Sequence, residues 1–183
     1  YLEQFHSVIR KGSWPLSAYA TWFLFHLAAA GKHLQERSVL ALLGDAFERF
    51  QALPITTDSL WSLAPVDLWS AALQHELVTS EEGGDQGTIA HAYASVEARH
   101  GVQLSEDLKR LLRAVVIASK QGLRACDRDD AVEALAELSG LAWKAADVGV
   151  RQLQDEYNVV AWDEGFKEFD ILGDAVPRVQ FLA

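Results

Sequence analysis

Cysteine is nearly missing from this chain: Cys126 is the sole one among 183 residues. An intrachain disulfide is therefore excluded, as is a thiolate metal cluster, and a reducing, cytoplasmic setting is expected. Methionine is absent altogether. Tyr1 is accordingly not read as a natural initiator, and the lack of a signal peptide carries little weight. Proline occurs four times, at Pro15, Pro54, Pro65 and Pro177; few prolines beside many Ala and Leu favour helices. The longest apolar run, residues 18–31, is interrupted by Thr21 and His26. It falls short of the about 20 helical residues that cross a bilayer, so a buried helix is expected there and no membrane span.

Positive charge is the other shortage. Lys and Arg number 16 against 26 Asp and Glu, a formal net charge of −10. A phosphate backbone needs concentrated positive charge, and so does an anionic bilayer surface, so neither nucleic acid nor membrane is expected as a partner. The imbalance is uneven: residues 1–73 carry 5 basic and 6 acidic groups, whereas residues 127–183 carry 5 and 13. An acidic face in the last third would attract a basic protein.

What is present argues for a folded helical chain. Hydrophobic residues make up 50% and charged residues 23%, which excludes disorder as the main state. A chain of this length buries about 70% of its unfolded surface, enough for a core without cross-links. The expected fold is all-α: one domain over residues 1–183, a bundle of six to eight helices, with residues 158–183 an irregular tail packing back on them. A short first helix is expected over 2–11. The next, over 16–30, is apolar nearly all round and is placed at the centre of the bundle. An amphipathic period of 3.6 marks residues 34–52, and another helix starts near Pro65, where a missing N–H is tolerated. Residues 79–87, acidic and glycine-bearing, read as an exposed loop. A helix over 88–99 follows. Ser105 is an N-cap for the next one. Asp130 with Glu133 suggests a capping box opening a long helix to about Tyr157, with Gly140 and Gly149 as kinks or close contacts. In the tail, short strands and irregular packing are both open; a tail that folds back across the helices, with one short helix near 163–169, is preferred. Phe23, Leu27, Leu42, Phe47, Leu111, Val115, Leu138 and Leu141 are expected in the core.

Chemical signatures are sparse. No Gly-x-Ser-x-Gly elbow, phosphate loop, His-Glu-x-x-His or calcium loop occurs. Glu3 with His6, and Glu97 with His100, place carboxylate and imidazole at i, i+3, half of the ligand pattern of a di-metal carboxylate bundle; the remaining ligands are not evident, so no metal or other cofactor is expected. His26 sits in so apolar a setting that a satisfied core histidine outweighs a haem ligand or a base. Trp61 and Trp69 flank Asp67 and lie near His75 and Glu76, a group that suits either a small-molecule pocket or an aromatic anchor for a protein. The acidic residues Asp155, Glu156, Asp163, Glu164, Glu168 and Asp170 have no helix start to explain them and form a candidate docking face.

The favoured reading is a non-enzymatic acidic interaction module, such as an adaptor, assembly chaperone or immunity-type inhibitor, binding a protein with a basic surface. The alternative is a helical enzyme or small-molecule-binding protein using the aromatic pocket, with the di-metal bundle behind it. Whether the chain is an enzyme, and whether it forms a homo-oligomer, stay open at this level.

Overall fold

The computed structural model describes residues 14–29, 36–52, 62–82 and 88–173. The helix expected over residues 2–11 lies outside them. Seven helices are present among the described residues: α1 (Ala18–Ala29), α2 (Glu36–Phe50), α3 (Ala71–Glu82), α4 (Ile89–His100), α5 (Glu106–Lys120), α6 (Arg128–Ser139) and α7 (Trp143–Asp155). A 3-10 turn, Pro65–Leu68, leads into α3, and a two-stranded sheet follows α7: β1 (Val160–Asp163) and β2 (Glu168–Ile171). The chain is an all-α, single-domain bundle with a short C-terminal β-hairpin. None of these helices is long and apolar enough to cross a membrane.

Helix α5 is the axis of the bundle, packing against α4, α6, α7, the 3-10 turn and β2. Its sequence explains why. Leu108, Leu111, Leu112, Val115 and Val116 recur at helical spacing and are all buried. The Ser105 hydroxyl accepts the Leu108 N–H at 3.4 Å, as an N-cap should. Glu106 and Asp107 occupy the first turn, and Lys120 the last, each complementing the helix dipole.

The long helix expected from Asp130 to Tyr157 is two helices. Gly140, at φ 70°, ends α6 in the left-handed region, which glycine enters without the penalty a Cβ brings. The start also differs: Asp127, not Asp130, is the cap, accepting the N–H groups of Asp129 and Asp130 at 2.9 and 3.0 Å. Gly149 lets α7 lie close on α5, since a Cβ there would stand 2.4 Å from Leu111 Cδ1.

Helix α1 is not central. Ser17 opens it, its hydroxyl accepting the Ala20 N–H at 3.1 Å. Ala20, Phe23, Leu24 and Leu27 face the core, but Tyr19, Trp22 and Phe25 are 38%, 48% and 62% exposed. Apolar residues all round a helix permit burial without requiring it. Phe47, expected inside, is 41% exposed; among the described side chains of α2 it is Leu42 and Ala46 that are buried. Leu141 packs against the core half-buried, and the other expected core residues are buried.

The acidic stretch read as a loop over 79–87 begins as helix: α3 continues to Glu82, and Glu81 is buried. Residues 83–87 lie outside the described set. In the tail, a hairpin replaces the short helix expected near 163–169. Val160 pairs with Ile171 and Asp163 with Glu168. Phe169 and Ile171 are buried, with Asp170 between them less so, a period of two that a helix would scatter. Val159 and Val160 are buried as well, and β2 lies against α5.

Candidate functional site

The 3-10 turn and the start of α3 build one wall of an open cleft of about 650 Å³. Pro65 sets the turn, Trp69 follows it, and the Ser70 hydroxyl accepts the Leu73 N–H at 3.1 Å to open α3. Gln74 and His75 then fall on the first turns of that helix. Arg49 from α2, Glu97 from α4 and Arg113 from α5 complete the lining.

A chain of hydrogen bonds crosses the cleft. Trp69 Nε1 donates to Gln74 Oε1 at 3.4 Å, and Gln74 Nε2 donates to Glu97 Oε2 at 2.9 Å. Tyr93 OH donates to Glu97 Oε1 at 2.8 Å and accepts from Arg113 Nε at 3.1 Å. The Trp69 and Tyr93 rings meet edge to face with centroids 5.2 Å apart. Burial, above all, pushes the Tyr93 phenol up to about 12; Glu97 adds to this and Arg113 opposes it. Arg49 is held by backbone, its Nη2 donating to the Asp67 carbonyl at 2.7 Å. The polar groups of the cleft thus brace one another. Glu97 accepts from Gln74 and Tyr93 and has the Arg113 guanidinium 3.8 Å away, an environment that holds a carboxylate in place.

Of the residues singled out from the sequence, Trp69 and His75 come together in this cleft, with His75 on its exposed side. Trp61 lies outside the described residues. Asp67 works behind the cleft: Oδ1 accepts from Arg110 Nη1 at 2.8 Å, and Oδ2 accepts the Ala64 N–H at 2.8 Å. Glu76 is half-buried away from the cleft, with Oε2 lacking a hydrogen-bond partner. Glu3 and His6 lie outside the described residues. Glu97 belongs to the cleft network, whereas His100 packs edge-on against Tyr157, centroids 6.1 Å apart. Among the described residues no three His, Cys, Asp or Glu side chains are grouped to hold a metal. His26 is half-buried on α1.

Five of the six acidic residues of the candidate docking face have local partners. Asp163 Oδ1 accepts the Gly165 and Phe166 N–H groups at 2.8 and 2.9 Å, closing the hairpin turn. Glu164 pairs with Lys167, and Glu168 with Arg124. The Lys167 contact, first, and the Trp162 N–H hold the Glu164 carboxyl below its usual range. Glu156 accepts from Gln152 at 2.8 Å, Asp170 accepts the Ile171 N–H at 2.9 Å, and Asp155 is exposed.

Arg49, Gln74, Tyr93 and Arg113 were not found from sequence. They come from four helices, and only the i, i+4 spacing of Tyr93 and Glu97 could have signalled a shared face. A second, smaller cavity of about 260 Å³ between α1, α5, α6 and β2 also left no mark in the sequence. Cys126 stands on its rim, where the Asp130 hydrogen bond, first among several causes, pushes the thiol up.

The chain matches no protein-family model, no curated protein and no solved structure.

Proposed function

We propose that the chain is a non-catalytic protein-interaction module that docks a protein with a basic surface, as adaptors, assembly chaperones and inhibitors do. The observation that carries this reading is the outer face of α1. Tyr19, Trp22 and Phe25 stand exposed on the side opposite Phe23 and Leu27, and the Trp22 and Phe25 rings lie 6.1 Å apart. Grouped large aromatics in water mark interaction surfaces, and Trp and Tyr dominate the binding energy of such surfaces. The net charge of −10 selects the sign of the partner and speeds the encounter.

The Trp69 cleft supports a second reading, a binding protein for a polar small molecule. Its about 650 Å³ falls within the roughly 300–1,000 Å³ of such sites.

Isolation of native complexes at low and moderate salt separates the two. The interaction reading expects a stoichiometric basic protein, released by salt, that cross-links to a photoreactive group placed at Trp22. It also expects that protein to be lost in the Trp22→Ser/Phe25→Ser variant. A complex indifferent to both, or a purified chain carrying only a small molecule by native mass spectrometry, refutes it.

A further inference from the structure

We propose that the cavity between α1, α5, α6 and β2 receives one large apolar side chain from a basic segment of the partner protein, with the acidic row of α6 holding the basic residues beside it. This rests on the interaction reading above and names the chemistry of its partner.

The cavity is apolar inside. Val115, Leu123, Ala131, Ala134, Leu135 and Phe169 wall it, and the two alanines leave room where larger side chains would close it. At about 260 Å³ it lies below the roughly 300–1,000 Å³ of cofactor and metabolite sites. That size suits a single anchoring side chain, the kind of contact that concentrates binding energy at protein interfaces.

The rim selects the charge of what enters. Asp130, Glu133 and Glu137 lie at i, i+3 and i+7 along α6, all exposed. Among the described residues Glu133 and Glu137 have no ion-pair partner. The cations at the rim are already matched, Arg124 with Glu168 and Lys167 with Glu164. The field at the mouth is therefore negative. Tyr19 forms the opposite lip and registers that field: burial first, then Glu137 and Glu133, raise its phenol. Because Tyr19 also belongs to the exposed face of α1, the cavity is continuous with the surface that carries the interaction reading. A free anion would be repelled here, and a purely apolar ligand would leave the carboxylates unused.

The test selects a displayed random-peptide library against the full chain and measures the recovered peptides by fluorescence anisotropy. Expected are peptides with one Trp, Phe or Leu flanked by Lys or Arg. Ala134→Trp, which fills the cavity, should abolish their binding. The pair Glu133→Lys/Glu137→Lys should weaken it by at least roughly tenfold at low salt. Both positions are exposed, so this second variant decides the matter even if Ala134→Trp fails to fold. Enriched peptides that ignore both variants but are lost in Trp22→Ser/Phe25→Ser overturn the cavity while leaving the interaction reading standing. No enrichment of basic peptides overturns the cavity as well, and the native-complex cross-linking decides the interaction reading by itself.

Discussion

Replacing Glu81 by Ala removes the tie that joins α3, α4 and α5. The carboxylate accepts three donors: Lys120 Nζ at 2.9 Å, the Ala90 N–H at 2.9 Å and the His91 N–H at 3.0 Å. The Glu81 and Lys120 side chains are 1% and 6% exposed, so water does not replace what is lost. Breaking a buried pair from one side costs about 3–5 kcal/mol, because the remaining charge stays buried. The first turn of α4 loses its acceptors too. Thr88, at the N-cap position, makes no side-chain capping bond, so nothing local takes over, and the loss falls near the upper end of that range. For a domain of this size each kcal/mol lowers the midpoint by roughly 2–4 °C, giving about 8–20 °C. Thermal and urea unfolding followed by circular dichroism measure it. Lys120→Met should cost less, since two backbone N–H groups still hold the carboxylate. The double variant Glu81→Ala/Lys120→Met should fall short of the sum of its single changes by more than about 1 kcal/mol, as contacting residues do. A Glu81→Ala protein within about 0.5 kcal/mol of the parent, the range of ordinary surface changes, refutes the reasoning: the pair would then be solvated and the junction held by packing alone.

Three further outcomes are expected. Tyr93, raised to about 12 in the folded chain, keeps its proton where an unfolded tyrosine has lost it. Its contribution is therefore fully present below about pH 10 and falls away as pH rises from about 10 to 12; urea titrations across that range should show the decline, and Tyr93→Phe should flatten it. Gly140→Ala forces a Cβ into a φ of 70°, 3.1 Å from Ala64 Cβ, and should cost about 1–2 kcal/mol, read from the urea midpoint. Asp67→Ala strips acceptors from Arg110 and from the Ala64 N–H and should cost about 2–4 kcal/mol while leaving partner capture at α1 intact, which separates its structural role from binding.

The helical class was legible because it is a property of short windows. The recurrence of Leu108, Leu111, Leu112, Val115 and Val116, with Ser105 before them, dictates α5 whatever surrounds it. The same holds for the scarcity of cysteine and proline, and for the negative net charge. Gly140 was visible as a glycine, but whether it would bend a helix or end one depends on its backbone angle, which the docking of α7 on α5 settles. The hairpin stayed hidden because Phe169 and Ile171 acquire an inside only once α5 presents a surface to them. Exposure of Trp22 and Phe25 was likewise undecidable, since a helix apolar on every side gives no hint of which side is covered. Glu81 shows the limit most clearly: within an acidic run it reads as loop, and only the approach of Lys120 and of the α4 N-terminus makes its burial favourable. The cleft and the cavity belong with it. Trp69, Glu97 and Arg113 are far apart in the chain, as are Tyr19, Ala134 and Phe169, and a pattern of period 3.6 specifies which face of each helix turns inward but not which helix it will meet. Local sequence fixes elements and their apolar stripes; the sites form where stripes from distant elements fail to close, and that is decided by packing in three dimensions.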